Sequence, residues 1–261
     1  MQAAFLALPV PLQALIFVAA TLAVAEVAAR LTRRFARGMK LADDLPVTIA
    51  VYTVVGTAYG ILLSFAVSLV WGENSGVAAA VSNEAQALSQ LHRTAGIVLK
   101  PEYAGRAHEL TRAYAHKVVS AEWPSLRKHQ RLDEARPEAD EIASFANRVP
   151  NSAALDVSGY TQFQSQTAKW LDARQARRIT GASDMPDTMW AVLLTGAAVL
   201  FVFHGFMVMQ SRRASFFVLV PLATIIGIEL FLIFTLDRPF AGAFAVDPGP
   251  FVEFLRASSL R

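Results

Sequence analysis

The sequence predicts an all-α, multi-pass membrane protein with four transmembrane helices and an extramembrane helical bundle inserted between helices two and three. Composition is the first support: hydrophobic residues make up 54% of the 261 and charged residues only 17%, against roughly 45–50% and about 25% in soluble domains. Placement is the second. Of the 45 charged residues, 28 lie between Trp71 and Asp187, none between 47 and 71, and none between 188 and 211. The third is span length, since a helix rising about 1.5 Å per residue needs roughly 20 apolar residues to cross a ~30 Å hydrocarbon core.

Four stretches meet that length, at about 9–29, 47–71, 188–210 and 214–236, with Trp71 and Trp190 at span ends. Residues 1–71 are thus expected to hold spans one and two, 72–186 the helical insert, and 187–261 spans three and four with a C-terminal tail. The first stretch reads as a retained span, because Arg30, Arg33, Arg34, Arg37 and Lys40 follow its apolar core, whereas a signal peptide has its charge before it. Cationic residues in short loops stay on the cytoplasmic side. Those five, with Arg212 and Arg213 between spans three and four, put both termini and the insert outside the cytoplasm of a cell (inner) membrane protein.

The insert shows helical spacing throughout. Val77, Val81, Leu88 and Leu91 continue the second span as one long helix beyond Trp71. Lys100-Pro101-Glu102 opens a second helix, with Leu110, Tyr114 and Val118 on one face, expected to stop at Trp123-Pro124. Residues 124–151 read as a short helix with loops. A last helix from about 153 to 182 carries Phe163, Trp170, Leu171 and Ile179, and its basic turns (Lys169, Arg174, Arg177, Arg178) are expected to form a solvated face suited to the helix dipole.

No nucleophile-elbow, zincin, P-loop or dinucleotide motif occurs, so no enzyme and no cofactor are expected. There is no cysteine for a disulfide or thiolate site, and a net charge of +3 with dispersed basic residues gives no nucleic-acid footprint. His108 and His116 stand too far apart to chelate a metal, with His92 nearby, and read as surface-helix residues. Asp133, Glu134, Glu138, Asp140 and Glu141 lack the glycine and alternating ligands of a calcium loop and read as a solvated face.

Ionisable groups inside a membrane are costly and point to function by default. Glu229 lies deep in span four, where conduction and a structural hydrogen bond remain equally open. Glu26 sits four before Arg30, the spacing of a helix ion pair, and His204 suits an interhelical hydrogen bond. Span two carries Tyr52, Gly56, Gly60, Ser64 and Ser68 at four-residue intervals, hence on one helix face. Such a stripe is either a helix-packing seam or a polar face on a water-filled pathway.

Several segments are similar to the bestrophin-like domain family of membrane proteins: Tyr59-Gly60-Ile61-Leu62-Leu63-Ser64-Phe65 with Val70-Trp71, Asn83-Glu84-Ala85, Glu122-Trp123-Pro124, and Leu236-Asp237-Arg238-Pro239-Phe240-Ala241-Gly242. Bestrophins proper are homo-oligomeric anion channels whose second span lines the pore, with the helical region and both termini in the cytoplasm. The resemblance implies a homo-oligomeric ion channel or channel-like transporter, with membrane lipids and small inorganic ions as its other partners. The acidic clasp that senses calcium in those channels is missing from the sequence. The alternative function is a non-conducting scaffold or sensor whose insert binds a partner. Asp237 and Arg238, adjacent and just ahead of Pro239, cannot readily pair with each other on a helix. Each is expected to bond a different element, with Arg238 clamping Glu84 or Glu122.

Overall fold

A computed structural model describes residues 8–35, 45–128, 130, 133–182, 185–207 and 212–259. Arg37 and Lys40 lie outside these, as do the side chains of Arg212 and Arg213. The described chain is helical: α1 (Val10–Phe35), α2 (Leu45–Val98), α3 (Pro101–Lys117), α4 (Trp123–Arg127), α5 (Arg136–Arg148), α6 (Val157–Thr180), α7 (Asp187–Met207), α8 (Arg212–Leu236) and α9 (Gly249–Ser259). One isolated antiparallel bridge, Leu99 with Ala154, is the strand-like pairing among the described residues. Four helices are long and apolar enough to span a bilayer, at Val10–Phe35, Pro46–Val98, Asp187–Phe206 and Phe217–Leu236.

Contacts divide the chain into two compact units, 1–72 with 184–237 and 73–183 with 238–261. The division falls within α2, and the C-terminal segment groups with the extramembrane helices. In the membrane unit α1 packs on α7 and α8. Its core joins Ala25 and Ala29 of α1, Tyr59, Leu63, Ala66 and Val70 of α2, and apolar residues of α7 and α8 such as Leu193, Leu200, Ala223 and Ile226. Close approach comes from glycines. A Cβ on Gly205 would meet the Ala29 backbone and the Thr32 side chain, and one on Gly227 would stand 3.0 Å from the Val18 Cα. The matching face of α1 is lined by buried Thr21, Ala25, Ala29 and Thr32.

In the extramembrane unit the phase predicted for α2 holds, since Val77, Val81, Leu88 and Leu91 are all buried against Leu110, Tyr114, Val118, Phe163 and Trp170. Ile179 departs from its expected face and is exposed. The helix from Pro101 does not stop at Trp123-Pro124. After Lys117 it widens into a π turn over Val118–Glu122, in which the Trp123 amide donates to the Val118 carbonyl, and continues as α4. The inserted residue lets the chain pass Pro124, which has no amide to donate. It also turns Glu122 and Trp123 inward, both buried.

Candidate functional site

The stripe on α2 lies in the membrane unit, whose core is built from a different face of that helix. Tyr59, Leu63, Ala66 and Val70 point into the core, while Gly60, Ser64 and Ser68 are exposed on the chain and Tyr52 and Gly56 are half-buried. A Cβ on Gly60 would meet nothing within 4 Å; one on Gly56 would touch Leu200 at an ordinary 3.8 Å. The lower end of the stripe is therefore partly covered by α7 and the Gly60–Ser68 part is open. The Ser68 hydroxyl donates to the Ser64 carbonyl at 2.9 Å, so its oxygen is left with acceptor capacity.

Next to the stripe stands Tyr59, whose hydroxyl donates to the Leu193 carbonyl at 2.9 Å and whose ring lies against Gly196 of α7. Glu229 is half-buried on α8. His204 is buried beside Tyr52, with ring centroids 6.4 Å apart. Glu26 accepts from Arg30 Nε at 2.7 Å, the i, i+4 pair its spacing predicts, and Arg33 approaches it at 3.5 Å. At the far end of α8, Asp237 Oδ1 accepts from the Met185 amide at 2.7 Å and so ties the end of α8 to the entry of α7.

The extramembrane unit contains a second constellation, a buried charge cluster. Arg177 of α6 donates to Glu84 of α2 through Nε and reaches Glu122 of the π turn at 2.7 Å through Nη2. Tyr114 of α3 donates to the other oxygen of Glu84, and the Ala135 amide donates to Glu122 Oε2 at 3.2 Å. Arg174 pairs with Asp133, which Arg178 also approaches at 3.3 Å. Glu84, Tyr114, Glu122 and Arg177 are at most 3% exposed. Burial disfavours charge on Arg177, yet Glu84, Tyr114 and Glu122 more than compensate, holding its pKa well above the usual guanidinium value. Burial, then the charge of Glu84, pushes Tyr114 well above the ordinary phenol range. It therefore stays a donor.

Two expectations change here. Arg174 and Arg177 belong to no solvated face: they are 7% and 2% exposed, because they share the helix phase of buried Phe163 and Trp170. Asp133 likewise is held by two arginines rather than by water. The clamp on Glu84 and Glu122 that the sequence suggested for Arg238 is made by Arg177. The motif around Arg238 joins the same region through Phe240, which meets Trp123 edge-on at 5.4 Å, while Trp123 Nε1 donates to the Val246 carbonyl at 3.3 Å. Pro239 accepts from the Val246 amide, and Gly242 takes a left-handed φ of 93° in this turn, a conformation suited to glycine. Among the described residues no group of three or more His, Asp or Glu is placed to hold a metal.

The stripe was visible in the sequence; the cluster was visible only as separate motifs. Arg177, Tyr114 and the glycines at 196, 205 and 227 were missed. The signal for Arg177 was its register with Phe163 and Trp170, and for Gly205 and Gly227 it was the Thr21-Ala25-Ala29 spacing of the opposing helix, whereas Gly196 faces Tyr59 of α2.

Comparison with known proteins agrees with the motifs. A sequence profile described as Bestrophin-like domain matches residues 19–251. A crystal structure of a bacterial bestrophin homologue from Klebsiella pneumoniae, solved by zinc anomalous phasing, superposes with a TM-score of 0.67 at 14% identity, covering 94% of this chain and 97% of that one. A point variant of the Klebsiella pneumoniae homologue gives a TM-score of 0.70 at 12% identity, with the same coverage. A crystal structure described as a membrane protein gives 0.66 at 14% identity, covering 95% and 97%. A search of curated protein sequences finds no significant match.

Proposed function

The chain belongs to the Bestrophin-like domain family and is an integral membrane protein of bestrophin type, and on that premise we propose that it assembles from identical copies into an ion channel whose pathway is faced by the Gly60–Ser64–Ser68 side of α2. One observation carries this. The chain's own helices leave that face open, while the close helix contacts of the membrane unit are made elsewhere, at Gly196, Gly205 and Gly227. A ring of copies around the open face would shield its hydroxyls from lipid and set serine oxygens where water ligands of an ion are replaced. No bound cofactor or catalytic group enters this mechanism. The Arg177 cluster has a supporting role, locking the extramembrane helices with buried, hydrogen-bonded charge.

Gly60→Leu tests the pathway in liposomes. The added bulk should lower flux severalfold while leaving oligomer size unchanged by light scattering. Wild-type flux through an assembled Gly60→Leu channel would remove this face from the pathway, and loss of assembly with silent Ser64→Ala and Ser68→Ala variants would make it a packing contact between copies.

For orientation, the short-loop charges support a cell membrane protein with both termini and the extramembrane unit outside the cytoplasm. Bestrophins proper have the opposite arrangement. Single cysteines at Ser82 or Ser152, both exposed, should react with an impermeant thiol reagent in intact cells, whereas one at Ser211 should not. The reverse pattern would establish the bestrophin-type orientation.

A further inference from the structure

In the extramembrane unit α3 packs on α5. Tyr103, Arg106 and Leu110 follow one another on α3 at intervals of three and four, and so do Glu141, Phe145 and Arg148 on α5. Each trio therefore shares a helix face. Together with Val149 they line a cavity of about 180 Å³. One wall is apolar: Leu110 and Val149 are buried, and Phe145 and Tyr103 are half-buried.

The other wall is charged, and its charges are unequally occupied. Arg106 donates through Nη1 to Glu109 at 2.7 Å and through Nη2 to Glu141, across the helix pair. Both carboxylates are thus bonded to Arg106. Arg148 is exposed and forms no ion pair among the described residues. Its Nε donates to the Ser144 carbonyl at 3.1 Å, one of those that the end of a helix leaves open. That bond fixes the base of the guanidinium and leaves both Nη groups as donors. The Tyr103 hydroxyl likewise has no hydrogen-bond partner among the described residues.

We propose that this cavity between α3 and α5 binds a small carboxylic acid bearing an apolar ring or short chain. Its carboxylate lies on Arg148 and the Tyr103 hydroxyl, and its hydrocarbon on Leu110, Phe145 and Val149. A guanidinium offers a carboxylate paired N–H donors. Pairing decides the sign of the ligand: an ammonium would have to displace Arg106 from Glu141, whereas a carboxylate meets Arg148 with no bonded counter-charge. The apolar wall decides the rest, since an inorganic anion would leave it uncovered and a ring against it gains from apolar burial. Size sets the limit. About 180 Å³ falls short of the roughly 300–1,000 Å³ of pockets for drug-sized ligands.

Benzoate is the suitable probe, with benzamide as its uncharged counterpart and acetate as the same carboxylate without a ring. Each is titrated calorimetrically into the full-length protein in detergent at constant ionic strength, and uptake by micelles is subtracted with a detergent blank. The expected result is saturable benzoate binding, with benzamide and acetate each about tenfold weaker or more, the worth of one charge-assisted contact or one buried ring. Arg148→Gln, at an exposed position, should weaken benzoate about tenfold or more, and Tyr103→Phe, which keeps the ring, should weaken it severalfold. Benzoate binding that never saturates, that is undiminished in Arg148→Gln, or that benzamide matches would overturn the site. Acetate binding as tight as that of benzoate would overturn the role of the apolar wall.

Discussion

At Arg177 two carboxylates from distant parts of the chain, Glu84 and Glu122, meet one guanidinium out of reach of water. Burying such charges is expensive, and a cluster of this kind is weak evidence for net stabilisation. Removing one partner is different, because the acids left behind are desolvated and unpaired. Arg177→Ala should lower unfolding stability by about 3–5 kcal/mol, measured by denaturant titration. Arg177→Lys should recover only part of it, since a point charge cannot serve two carboxylates as a planar fork does. An unaltered midpoint in Arg177→Ala would show that the cluster carries no structural burden. Glu229 is the residue to test for coupling within the membrane unit: Glu229→Gln should leave assembly intact and change flux or its pH response. Glu84 and Glu122 could be marked from their motifs, but their partner could not. The order of residues around Arg177 shows four cations in ten positions, and only the register with Phe163 and Trp170 separates those facing in from Lys169, which faces out.

At the scale of elements, α2 was legible because both its parts have a periodic signal: an unbroken apolar run, then buried residues in helical phase. Its passage from one unit to the next leaves the helix uninterrupted over 54 residues. The helices α7 and α8 were legible as spans and opaque as packing partners, since a helix apolar on all sides has no preferred face to reveal which residues meet a neighbour. The contacts are set by absent side chains, at Gly205 of α7 and Gly227 of α8, both against α1. Gly205→Leu and Gly227→Leu should each overpack their seam, costing about 1–3 kcal/mol or more, seen as a lowered thermal midpoint in detergent. The N-terminal turn of α6 gives a pH-dependent element. Asp156 accepts from the Gly159 amide at 2.6 Å and from the Ser158 hydroxyl, and these bonds, the Gly159 amide first, hold its carboxyl below the usual range. Its contribution is present above the unfolded carboxyl value, about pH 4, and fades as pH falls through the lower folded value. Hydrogen exchange at the start of α6 should accelerate only in strong acid, and Asp156→Asn should remove that acid sensitivity.

For the whole molecule, an assembly around α2 is what one chain leaves unsatisfied. Val54, Ile61 and Phe65 are exposed on α2 alongside the serines, so that helix offers apolar flanks to neighbouring copies or lipid and a polar line between them. The absence of cysteine from the chain makes the line directly testable. Ser64→Cys places one thiol on the open face with little change in volume. In liposomes containing the purified variant, a small charged thiol reagent should block most of the flux, and reduction should restore it. Complete modification of that cysteine with flux unchanged would contradict a pathway along this face of α2.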